Sequence, residues 1–166
     1  MSKIQGVRLN NLPDKYYKFI GEVMFHWVLF DAQVMDMVGN LLKLGPKERR
    51  MLVGSMDEKA KLGTLRLLSK KRIPDKPLQE AIAAVSRLAS DLSERRNQLA
   101  HTPWVKVPGE TTPALLSMKG GELLYMPTAE IMTEAQMQDT LAAFRDLTTH
   151  GQVLNNAILL YMQQAK

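Results

Sequence analysis

Apolar residues recur along the first part of the chain at Tyr16, Ile20, Val23, Trp27, Phe30, Val34, Met37, Leu41 and Leu44, in alternating steps of four and three. That is the period of a long amphipathic helix with a bundle-type seam. A second apolar stripe, Met24, Val28, Met35, Val38 and Leu42, widens the seam and predicts packing against more than one neighbour; Asp31 interrupts it. Gly45-Pro46 is expected to end the helix. Ser55-Met-Asp-Glu58 has the form of a capping box, in which a hydroxyl and a carboxylate satisfy free amides at a helix start. It predicts a short second helix with Leu62, Leu65 and Leu68 inward and its lysines outward. Asp75, between Pro74 and Pro77, can cap a third helix. There Leu78, Val85, Leu92 and Leu99 fall seven apart, and Ile82, Leu88 and Ala89 complete the stripe.

The pattern then breaks. Between Pro103 and Met132 lie four prolines and three glycines, with short apolar runs on either side of Gly120-Gly121, as in ALLSMK-GG-ELLYM. A two-glycine turn between such runs predicts a β-hairpin. Thr133-Glu-Ala-Gln136 is a second capping box and opens a final helix through Met137, Leu141, Phe144, Leu147, Leu154, Ile158 and Tyr161. The expected fold class is all-α: an up-and-down helical bundle with a small β-hairpin insertion, at about 103–132, before the last helix. A length of 166 residues is most simply one domain, 1–166, large enough to bury its own core.

Composition narrows the chemistry. The absence of cysteine removes disulfides, thiolate catalysis and zinc knuckles. The three histidines, His26, His101 and His150, have no second histidine at metal-ligand spacing, so neither a metal site nor a cofactor is expected. No phosphate-binding loop, dinucleotide fingerprint or nucleophile elbow is present. His26, between Phe25 and Trp27, reads as a structural residue. No stretch has the run of apolar residues of a membrane span or a signal peptide, and a cytoplasmic protein with no membrane partner is the expectation. Charge is polarised: Lys43 to Lys76 holds eleven basic residues against four acids, whereas Glu110 to the end holds six acids against three bases. A polyanionic partner such as RNA would use such a segment, with Lys59, Lys61, Lys70, Lys71 and Arg72 as the candidate contacts. Solvated helix faces account for the same pattern.

The candidate site is ERRNQLAHTPW, Glu94 to Trp104, at the end of the third predicted helix. Continuing the heptad places Arg95 and Arg96 on or beside the buried stripe. A guanidinium there needs an acidic partner or an anionic ligand, because a buried unpaired charge is costly. Asp31 is the expected partner and Glu22 the next. Asn97 and His101, four apart, share a face; Arg96 and His101, five apart, diverge on a regular helix. Pro103 disfavours helical geometry at Thr102 and is expected to let His101 swing toward Arg96. Arg145-Asp-Leu-Thr-Thr-His150 has the same spacing inside the final helix, without such a break. A histidine in a last helical turn is also favoured by the helix dipole alone.

Arg96-Asn97-Gln-Leu-Ala-His101 resembles the signature of the HEPN superfamily (higher eukaryote and prokaryote nucleotide-binding): arginine, a polar residue, three residues, histidine. The long first helix with Trp27, Phe30 and Asp31, the lysine-bearing second helix and a motif helix ending before a tryptophan are similar to small bacterial members. Asp31 stands where a glutamate is more typical, and the 103–132 insertion lies outside the family's core pattern. The resemblance implies an all-α dimer that brings two motifs into one cleft. Many members are metal-independent ribonucleases of toxin–antitoxin or other defence systems, with an antitoxin protein as partner; others only bind nucleotides or RNA, or act as scaffolds or interaction modules. It implies Arg96, Asn97 and His101 as the catalytic set, with Asp31 and Arg95 supporting. Histidine titrates near neutral pH and would move the proton, arginine would clamp the phosphate, and asparagine would orient the imidazole or contact the phosphate. A purely structural helical dimer, with Arg96 in an ion pair, is the remaining alternative.

Overall fold

The structure, a computed structural model, describes residues 7–8, 12–117 and 128–164. The fold is of the all-α helical-bundle class with a small antiparallel sheet ahead of the last helix. In chain order the elements are β1 (Val7–Arg8), α1 (Asp14–Leu42), α2 (Pro46–Leu52), α3 (Glu58–Arg72), α4 (Lys76–His101), β2 (Trp104–Lys106), β3 (Ala114–Ser117), β4 (Thr128–Ile131) and α5 (Glu134–Gln164). They group into two compact units, Met1–Met24 with Ser93–Ala142, and Phe25–Leu92 with Ala143–Lys166.

In the first unit, Tyr16, Phe19 and Val23 of α1 are buried, as are Leu99 of α4, Trp104, Val105, Ala114 and Leu115 of the sheet, and Met132, Met137 and Leu141. Tyr16 meets Trp104 edge-on, with ring centroids 5.3 Å apart, a geometry favoured by the aromatic quadrupole. The four strands pair antiparallel in the order β1-β2-β3-β4. β3 pairs with β4 in the register Ala114↔Ile131 to Ser117↔Thr128. A hairpin before the last helix is therefore present, but the partner of the ALLS run is Thr128–Ile131; the Gly120-Gly121 turn and the ELLYM run lie outside the described residues. A second hairpin, β2 to β3, turns at Gly109, whose φ of +85° suits glycine. At the start of α5, Thr133 and Gln136 cap each other reciprocally: the Gln136 amide donates to Thr133 Oγ1 at 3.3 Å and the Thr133 amide to Gln136 Oε1 at 2.9 Å.

The second unit buries Trp27, Phe30, Val34, Met37, Val38 and Leu41 of α1 against Leu62 and Leu65 of α3, Ile82 and Ala89 of α4, and Phe144, Leu147, Leu154 and Ile158 of α5. α1 and α5 approach closely at Gly151, where a Cβ would meet Phe30 and Gln33 side chains. His26 is held here, its Nδ1 3.3 Å from Thr148 Oγ1, while that hydroxyl also lies 3.2 Å from the His26 carbonyl; this matches a structural histidine. α1 stops at Leu42 rather than at Gly45. Lys43 takes φ +60°, and the Lys43 and Leu44 amides donate back to Asn40 and Gly39 carbonyls at 3.1 and 2.9 Å, a Schellman closure made without glycine. Pro46 starts α2, which the apolar pattern does not predict and which contains no buried residue. Its Arg49 reaches back to Asp36 Oδ1 at 2.7 Å and Asn40 Oδ1 at 2.9 Å. The α3 cap is Asp57, whose Oδ1 accepts from the Ala60 amide at 2.7 Å, not Ser55, whose hydroxyl donates to the Met51 and Leu52 carbonyls. Asp75 caps α4 as predicted, accepting from the Leu78 amide at 3.0 Å.

Candidate functional site

The last turns of α4 carry the motif. Arg95 and Arg96 are both half-buried, Asn97 and His101 are exposed, and Leu99 between them is buried. This is the consequence of a seam through Ile82, Ser86, Ala89 and on toward Arg96, with Leu78, Val85 and Leu92 half-buried beside it. The helix is unbroken to its end: it runs through His101, and the Thr102 amide still donates to the Gln98 carbonyl at 3.0 Å. The irregularity expected from Pro103 is absent, since that proline lies two residues beyond the helix and constrains only Thr102. Five residues of regular helix separate Arg96 from His101 by roughly 140° around the axis, whereas Asn97 and His101 are only about 40° apart. Asn97 and His101 therefore share an exposed side, and Arg96 does not converge on them within one chain.

Arg95 is not paired with Asp31. Its guanidinium forms a two-pronged bond with Glu130 of β4, Nη2 to Oε1 at 2.8 Å and Nη1 to Oε2 at 3.1 Å, and Nη1 also donates to Gln98 Oε1 at 3.1 Å. This planar fork-on-carboxylate geometry ties the end of α4 to the sheet. Asp31 instead accepts from Lys61 of α3, whose Nζ lies 2.9 and 2.7 Å from the two carboxylate oxygens. Two expectations are corrected by that one contact. Asp31 is matched by a lysine, and Lys61, with a side chain only 8% exposed, points inward and is withdrawn from the candidate polyanion contacts. Lys59, Lys70, Lys71 and Arg72 are exposed on α3; Arg72 also donates to the Leu41 carbonyl at the end of α1. These cations belong to the second unit and the motif to the first. Arg145 and His150 of the imitation motif are exposed on an uninterrupted stretch of α5.

His101 also lines a cleft of about 230 Å³ together with Leu12, Tyr17, Ala100, Thr102, Pro103 and Trp104. Glu130 and Tyr17 are the local residues that the sequence pattern does not single out. Burial pushes the Tyr16 hydroxyl above its ordinary pKa, and the Glu134 carboxylate adds to the shift. Among the described residues no group of three or more His, Asp or Glu side chains could hold a metal ion, and no helix is long and apolar enough to cross a membrane. Compared with protein families, curated proteins and solved structures, the chain finds no match.

Proposed function

We propose that the chain is a HEPN-like, metal-independent endoribonuclease that acts as a cytoplasmic homodimer, with RNA as substrate and a toxin or other defence role held in check by an antitoxin protein. The observation that carries this reading is the exposure of Asn97 and His101 side by side at the end of α4, where His101 lines a cleft. In the reaction the substrate's 2′-hydroxyl attacks the adjacent phosphorus and the O5′–P bond breaks, leaving a 2′,3′-cyclic phosphate and a 5′-hydroxyl. His101 takes the proton from the nucleophile or supplies it to the leaving oxygen. Arg96 stabilises charge on the phosphorane with its planar donor fork, and Asn97 orients the imidazole.

The divergence of Arg96 from His101 on one helix supports a site completed by a second copy. Phe25 and Val28, 60% and 65% exposed, lie with Leu29 and Ala32 on the outer side of α1 and offer apolar surface for such pairing. Exposed Lys59, Lys70, Lys71 and Arg72 supply sequence-independent attraction for the RNA backbone. The same divergence favours the second reading, a non-catalytic RNA- or nucleotide-binding module, if the chain works alone.

The test is incubation with labelled single-stranded RNA in EDTA, using wild type, Arg96→Ala, His101→Ala and an equimolar mixture of the two variants. The reading expects cleavage by the wild type, none by either variant, and partial recovery in the mixture, where the intact arginine and histidine come from different chains. RNA retention without cleavage turns the conclusion to the binding module.

A further inference from the structure

We infer that the cleft between the C-terminal ends of α1 and α5 binds a medium-chain aliphatic carboxylate, with its tail on Leu44, Leu159 and Met162 and its carboxylate on Lys43. This goes beyond the ribonuclease reading, since the cleft lies wholly in the second unit and the motif in the first. Its volume of about 420 Å³ falls within the range of roughly 300–1,000 Å³ typical of small-molecule pockets, which combine apolar walls with a few placed polar groups. Leu44, Leu159 and Met162 are the apolar walls, and Asn40, Lys43 and Gln163 the polar groups. No aromatic side chain lines the cleft, so it offers an aliphatic tail a surface but a nucleobase no ring to stack on. One wall is fixed in advance: Asn40 accepts from Arg49 Nη2 at 2.9 Å and donates to Asn155 Oδ1 at 3.2 Å, and the Leu44 carbonyl accepts from the same Arg49 nitrogen at 3.3 Å.

Lys43 supplies the charge. It is the only residue other than glycine with a positive φ among those described, at +60°, a left-handed conformation that glycine adopts freely and residues with a Cβ adopt at a cost. Attraction to the negative end of the α1 dipole does not require that conformation, because a lysine in the last helical turn would serve it without strain, and α1 has no basic residue there. A strained position kept by a residue whose side chain lines a cleft points to a role for that side chain. Lys43 is exposed and makes no ion pair among the described residues. The lining therefore carries one uncommitted positive charge and no negative one, which complements a singly charged headgroup. Arg49, whose planar fork would suit a phosphate, does not line the cleft and is engaged with Asp36 and Asn40.

Isothermal titration calorimetry with hexanoate, octanoate, octanol and octylammonium tests this on wild type, Lys43→Met, Lys43→Gly and Leu159→Asn. Octanoate should bind the wild type about tenfold more tightly than hexanoate, from the burial of two more methylenes. It should bind about threefold or more tightly than octanol or octylammonium, from a lysine–carboxylate contact at a partly exposed site. Lys43→Met should lose the preference for the carboxylate and keep the dependence on chain length, while Leu159→Asn should weaken both acids. Lys43→Gly should lose the same preference yet raise Tm by roughly 2–4 °C, because glycine relieves the left-handed strain. Both positions are on the surface, and none of the variants touches Arg96, Asn97 or His101, so loss of octanoate binding and loss of RNA cleavage are separate results. No heat with octanoate at millimolar concentration, equal binding of hexanoate and octanoate, octanol bound as tightly as octanoate, or unchanged carboxylate preference in Lys43→Gly overturns the site.

Discussion

Removing Asp31 and removing Lys61 should have very different costs, although the two residues form one ion pair. The Lys61 side chain is 8% exposed and that of Asp31 is 36% exposed. Asp31→Ala leaves an ammonium in a buried place without its only charged partner in the pair. Breaking a fully buried pair in this way costs about 3–5 kcal/mol; because more than a third of the carboxylate is in water, screening reduces the expectation to about 2 kcal/mol. Lys61→Met keeps most of the apolar stem and removes the charge, and the carboxylate left behind is already partly hydrated. That variant should stay within about 1 kcal/mol of wild type. For a chain of this length the loss in Asp31→Ala corresponds to a fall in Tm of roughly 4–8 °C. The double variant should recover most of it. Thermal melts followed by circular dichroism at neutral pH measure all three. A Lys61→Met protein as unstable as Asp31→Ala, or a double variant with no recovery, refutes the reasoning. The same Lys61→Met protein should bind RNA as wild type does, whereas Lys70→Ala with Lys71→Ala should bind more weakly and with a shallower salt dependence.

Tyr16→Phe should change the alkaline limb of stability. The folded-state pKa of Tyr16 is raised above its ordinary value of 10.0, so the fold favours the neutral phenol. Its contribution is fully present below pH 10 and is lost as pH rises through the raised folded value. Melts between pH 8 and 11 should show a flatter decline above pH 10 for Tyr16→Phe, with little change at pH 8 because the hydroxyl's bond to the Met132 carbonyl is long, at 3.4 Å. An identical alkaline slope would contradict this. Arg95→Ala should destabilise by about 1–2 kcal/mol through loss of its charged, two-pronged bond to Glu130, while retaining cleavage within about threefold of wild type. Denaturation and cleavage measured side by side check it; loss of cleavage with unchanged stability would move the catalytic role from Arg96 to Arg95.

The core of α1 was legible because Tyr16, Val23, Trp27, Phe30, Val34, Met37 and Leu41 repeat the helical period and are buried. The Asp75 cap and the Thr133–Gln136 box were legible because capping is a local interaction within four residues. α2 was not, since a seven-residue helix without a buried residue has no apolar stripe; its trace in the sequence is Gly45-Pro46 followed by Glu48, whose Oε2 accepts from the Gly45 amide at 2.6 Å. Strands of two and three residues, β1 and β2, are too short for alternation to be recognised. The partners of the charged residues were the least visible part. Asp31 in an apolar stripe announced a charge to be matched, but the match is tertiary, and a buried lysine is indistinguishable in hydropathy from an exposed one. Arg95 and Glu130 are likewise brought together across 35 positions by the placement of β4. For the motif itself, the spacing correctly put Asn97 and His101 on one side, while the effect expected of Pro103 failed because the helix hydrogen bonds continue to Thr102.

The central claim is that Arg96, Asn97 and His101 support metal-independent cleavage of RNA, and the ends of the products test it most directly. Mass spectrometry of a defined single-stranded RNA incubated with the purified protein in EDTA should find fragments with 2′,3′-cyclic phosphate and 5′-hydroxyl ends, and none above background with His101→Ala. Intact RNA, fragments ending in a 3′-hydroxyl, or the same cyclic ends from His101→Ala would contradict it.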